Sequence, residues 1–212
     1  MILPLVLFVA TAILLFLSSR ALIHRLIRLL PVDLLFFLLL PGVLLHELSH
    51  LLTAEILQVP TGHISLSPHL DKDQLKLGSA QIGLTDPIRL TLIGTAPFLA
   101  GTITLWLILV VGLRLDLNQL ALPIFNYWHL LFYYLIFAIS NTMFSSPSDL
   151  QAAALPVVLL LIILGLFQLT NLNLPISLVD LSTNLFWLLA IIFSLVLALN
   201  LLLLLPLKLL RR

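Results

Sequence analysis

Long apolar runs fill most of the chain, interrupted by short polar or proline-marked segments. A bilayer core of roughly 30 Å is crossed by about 20 mostly apolar residues in helical form, and this pattern predicts six such stretches. The first covers residues 2–18 and leads into a basic, partly amphipathic connector at 20–31. No positive charge precedes this run and no small-x-small cleavage site closes it, which argues against a signal peptide. The second covers 34–57, with a kink predicted at Pro41-Gly42. The third opens at Asp86-Pro87, an N-cap followed by proline at the first helical position, and runs to Leu113. The fourth covers 127–143, the fifth 148–169 and the sixth 183–205.

Between the second and third runs the period changes from helical to two. Residues 62–69 and part of 76–83 alternate polar with apolar positions around a polar turn at 71–74, the signature of a β-hairpin. No internal repeat is visible. The expected fold is therefore an all-α membrane protein, a polytopic bundle of about six transmembrane helices. One small β-hairpin, residues 60–84, lies between helices two and three, and residues 1–212 form a single membrane domain.

Composition narrows the function classes. The chain is 61% apolar and 9% charged, against about 25% charged in soluble domains, so the lipid bilayer is its expected surrounding. Net charge is +1 and the Lys and Arg residues form no long tract, which excludes a nucleic-acid partner. The absence of cysteine rules out a thiolate nucleophile and any Cys-ligated metal. With six crossings, Arg20, Arg25, Arg28 and Arg114 fall on one face of the membrane. Lys72, Lys76, Arg89, Lys208, Arg211 and Arg212 fall on the other. The positive-inside rule then puts both termini and the hairpin in the cytoplasm.

An ionisable side chain within a membrane span costs several kcal/mol and marks a functional candidate. The second run holds His46-Glu47-Leu48-Ser49-His50, an HExxH pattern. Spacing i to i+4 sets both imidazoles on one helical face, where they can share a tetrahedral Zn²⁺, with Glu47 placed to act on water. A catalytic zinc needs a third protein ligand and an open position. Asp149, Glu55, His129, His63 and His69 are the candidates. Counting crossings puts the Asp149 turn in the same half of the membrane as the histidines, and His129 near the opposite surface. Glu55 swings to another helical face, and the two hairpin histidines are expected to be exposed or interfacial. Asp149 is the expected third ligand, with an N-cap role as its structural alternative. Two other classes share these residues. One is a non-catalytic metal-binding scaffold or pseudoprotease. The other is an ion transporter, against which the ionisable groups cluster at one depth and no inverted repeat appears.

Three segments, in order, resemble the site-2 protease family of intramembrane zinc metalloproteases. The first is His46–His50 with the hairpin after it, similar to the family's membrane-associated β element. The second is Gly94-Thr-Ala-Pro97-Phe-Leu-Ala-Gly101, similar to the family's Gly-Pro-x-x-Asn stretch beside the metal helix. The third is Asn141-Thr-Met-Phe-Ser-Ser-Pro147-Ser-Asp149, which keeps the family's Asn-to-Asp spacing. It has proline only at 147, and Leu150 stands where the family has glycine. The resemblance spans residues 34–150, the expected metalloprotease core, and includes no PDZ-like insertion, as in a minimal or divergent member. It implies zinc held by His46, His50 and Asp149, with Glu47 as general base. Its substrates would be peptide bonds in or near transmembrane segments of other proteins. Asn141 is expected either to hydrogen-bond substrate or to join helices. The expected setting is a multi-pass protein of a prokaryotic plasma membrane.

Overall fold

The computed structural model describes residues 2–71, 74–115, 126–144, 162 and 176–209. In chain order these form α1 (Ile2–Leu29), α2 (Val32–Ile56), β1 (Thr61–Ser65), β2 (His69–Asp71), β3 (Gln74–Lys76) and β4 (Ser79–Ile82). They continue as α3 (Pro87–Leu107), which runs into a π-helical turn at Ile108–Gly112, α4 (Tyr127–Thr142) and α5 (Ile176–Leu209). Four helices are long and apolar enough to cross a membrane: α1, α2, α3 with its π turn, and α5. At 16 residues α4 is shorter than a full crossing. The expected fifth span, 148–169, lies outside the described residues.

Local chemistry explains most boundaries. The Asp86 carboxylate accepts from the backbone N–H groups of Ile88 and Arg89, each at 3.0 Å, and Pro87 opens α3 as expected. The hydrogen bond from the Arg89 backbone, chief among these contacts, holds the Asp86 pKa below the ordinary carboxylate value. α2 closes in a Schellman motif: Val59 N–H donates to Ala54 O and Gln58 N–H to Glu55 O, with Gln58 at φ 57°. The cap turns the chain sharply into the hairpin.

Two expectations about the helices are corrected. The first span does not end at Ser18; α1 continues without a break to Leu29. The connector contains good helix formers and no Gly or Pro until Pro31. Its polar groups find partners on the helix flank. Arg20 lies over the Phe16 ring at 5.4 Å, Arg28 bonds His24, and Arg25 Nη1 donates to the Leu207 carbonyl at 3.1 Å. That last contact places a cation at the C-terminal end of α5, where the helix dipole favours it.

The second correction is the direction of the last helix. Phe8 packs on Phe186 and Phe193, Ser19 meets Asn200, and Arg25 meets Leu207. α5 thus runs parallel to α1, and its C-terminal end lies opposite the hairpin, where six alternating crossings would have put it beside the hairpin. The physical reason is the ladder of aromatic, amide and Arg–carbonyl contacts, which pairs in only one sense.

Glycines let the helices approach closely. A Cβ on Gly42 would sit 2.3 Å from Thr142 Oγ1 and 2.4 Å from the Ala138 carbonyl, so α4 packs into α2 at this notch. Gly101 likewise receives Met143 of α4, and Gly112 receives Phe132. The main core lies between α1, α3, α4 and α5, around Leu15, Leu105, Ile136, Phe193 and Val196.

β1 pairs antiparallel with β4 and β2 with β3, so the segment is one interrupted hairpin, as the alternation predicts. Its course is re-entrant. Ile82 packs with Ala54 near the end of α2, Gly78 touches Glu47, and Leu77 packs on the cluster of Leu35, Phe36, Leu39 and Val43. The hairpin therefore folds back along α2 towards mid-helix.

Candidate metal centre

His46, Glu47, Ser49 and His50 are buried on α2, where His50 meets α3 and Glu47 the hairpin. One helical turn separates the two histidines, and their ring centroids lie 4.9 Å apart at an interplanar angle of 82°. The i, i+4 spacing accounts for this. Ser49 Oγ donates to the His46 carbonyl at 2.6 Å, so its hydroxyl is satisfied within the helix.

His50 is held from outside its own helix. Its Nδ1 lies 2.9 Å from the carbonyl oxygen of Ile93 on α3. A carbonyl only accepts, so the contact requires the hydrogen on Nδ1 and leaves Nε2 as the lone-pair nitrogen of the neutral ring. Metal-ligating histidines ordinarily donate their other ring N–H to a carbonyl or carboxylate in this way. Glu47 faces the hairpin: a Cβ on Gly78 would stand 3.0 Å from Glu47 Oε1 and 3.2 Å from the Ser65 carbonyl. A side chain here would crowd the carboxyl group and the Ser65 carbonyl, so glycine suits the link between β3 and β4.

Both imidazoles fit a divalent metal of the zinc type: two nitrogen donors on one face, buried, one with a fixed tautomer. Among the described residues, no third His, Asp or Glu joins them as a metal-binding group. Asp149, the expected third ligand, lies outside the described residues. Thr142 at the end of α4 lies against Gly42, one turn before His46.

The remaining candidates lie elsewhere. Glu55 is exposed on the last turn of α2, and His63 is exposed on β1. His129 accepts the Asn126 backbone N–H on Nδ1 at 3.2 Å, as part of the capping box that opens α4. His69 begins β2, in register with Lys76. Of its two expected roles, Asn141 has the helix-joining one here. Its Nδ2 donates to the Phe137 carbonyl at 2.8 Å and to Asn200 Oδ1 at 3.0 Å.

Two features went unforeseen, the Ile93 carbonyl and Gly78. Each has a sequence signal in retrospect, a proline four residues after Ile93 and a lone glycine in a strand pattern. The space beside Gly42 and Gly101 is filled by Thr142 and Met143 of α4. No protein-family model, curated protein or solved structure matches the chain.

Proposed function

We propose that the chain is an intramembrane zinc metalloprotease that hydrolyses peptide bonds in or near transmembrane segments of other membrane proteins. The observation that carries this reading is the placing of Glu47 between a pair of buried imidazoles and the backbone of a re-entrant hairpin. A binding site needs the histidines; only hydrolysis also needs a carboxylate beside them facing the place where a peptide would lie.

His46 and His50 would hold the zinc, with Asp149 the proposed third ligand. Bound there, zinc would supply Lewis acidity towards water and the scissile carbonyl. Glu47 would accept a proton from the attacking water on its carboxylate and return it to the leaving amine. A helical substrate hides its carbonyls in its own hydrogen bonds and must be unwound to be cut. β1 is exposed along its length, and among the described residues it pairs on one side only, with β4. Its other edge offers N–H and C=O groups to an extended substrate segment.

The proposed membrane orientation follows the observed helix directions. Among the described residues Arg20, Arg25, Arg28, Arg114 and Lys208 fall at the end opposite the hairpin, against Lys76 and Arg89 at the hairpin end. By the positive-inside rule the end opposite the hairpin is cytoplasmic. This reverses the orientation that six alternating crossings imply.

The test is Glu47→Gln in detergent, assayed on a tagged single-span substrate. Cleavage is expected to fall by at least about 100-fold, the scale of a lost general base, while zinc still binds. A wild-type protein that binds zinc and cleaves no substrate would favour the scaffold reading instead.

A further inference from the structure

The hydrogen bond from His50 to Ile93 begins with an irregularity in α3. In a regular helix the Ile93 carbonyl accepts the N–H of residue 97. Residue 97 is Pro97, buried inside α3, and it has no N–H to give. A proline ring in a helix also crowds the carbonyl four residues before it and turns it outward. The Ile93 carbonyl thus lacks its usual helical donor, in a buried setting where an unmet acceptor is costly. His50 Nδ1, 2.9 Å away on α2, meets it.

We propose that Pro97 is a positioning residue for His50: by freeing the Ile93 carbonyl it fixes the imidazole as the Nδ1–H tautomer and directs Nε2 to the ligand position. The proposal deepens the metalloprotease reading and rests on it only for what Nε2 then binds. It gives the Gly94–Gly101 stretch a specific task. The proline of that stretch frees a backbone acceptor just before it, the Ile93 carbonyl, at a fixed place.

The experiment reads the ring itself, in metal-free protein, so that it does not depend on activity. Protein labelled with ¹⁵N-histidine is stripped with EDTA, and the His50 resonances are assigned by their loss in His50→Gln. Wild-type protein is expected to show Nδ1 protonated and Nε2 unprotonated at pH 8. Pro97→Ala restores an N–H that draws the Ile93 carbonyl back into the helix, so His50 should shift to a mixture of tautomers. Zinc affinity should fall by about 10–100-fold, the usual effect of losing the group that orients a ligating imidazole. Pro206→Ala, which changes a proline in α5, should leave His50 unaltered.

Wild-type His50 protonated on Nε2 would overturn the proposal. So would a tautomer unchanged by Pro97→Ala, or shifted equally by Pro206→Ala. If Pro97→Ala fails to fold, Pro97→Gly restores the same N–H without a side chain. Independently of any variant, absence of a ¹⁵Nδ1–¹³C′ dipolar contact between His50 and Ile93 in the folded wild type would refute it. A correct tautomer in a protein that takes up no zinc would sink the protease reading and leave this inference standing.

Discussion

Asn200 donates to Ser19 Oγ at 3.1 Å and exchanges bonds with Asn141, while Ser19 donates to the Ser140 carbonyl at 3.2 Å. Three helices, α1, α4 and α5, are thus tied by amide and hydroxyl groups in an apolar core. Such bonds within membranes contribute about 0.6 kcal/mol each and at most about 1.7. A double-mutant cycle on Asn141→Leu and Asn200→Leu, followed by SDS titration, should give a coupling energy in that range. A coupling near zero would mean that Asn141 acts elsewhere. Single residues differ in how far the sequence betrays them. The facing of His46 and His50 follows from their spacing alone, because i, i+4 is a property of one helix. The pairing of Asn141 with Asn200 depends on the packing of separate helices, and 59 residues divide them.

At the scale of elements, the site depends on how closely α4 and the hairpin can approach α2. Gly42 has no room for a side chain, since even a methyl group would overlap Thr142 and the Ala138 backbone. Gly42→Ala should destabilise the protein by about 1–3 kcal/mol, the usual cost of overpacking, measured as a lower unfolding midpoint in detergent. An unchanged midpoint would show that α2 and α4 are not in this contact. Helices, the hairpin and the Asp86 cap are legible because each is written in a local period or a short-range cap. The end of α2 is not, because Gln58 takes the left-handed conformation usually given to Gly or Asn. The length of α1 is misread for a related reason: charge suggests an end, yet nothing in residues 19–30 breaks a helix.

For the whole molecule, the direction of α5 matters most for topology. Hydropathy gives the number of long apolar runs but not how they pair, and alternation is the default only when every run crosses. The Phe8, Ser19 and Arg25 contacts fix α5 parallel to α1, which moves the C-terminal end of α5 away from the hairpin. The candidate centre then lies on the hairpin half of the bundle, with α3 behind His50 and the end of α4 against Gly42, one turn before His46. Whether this arrangement is a metal centre is decided by the metal content of purified protein, measured by elemental analysis after zinc loading and desalting. One zinc per chain is expected in the wild type and none in His46→Ala. Zinc equally absent from both, or equally retained, would contradict the account.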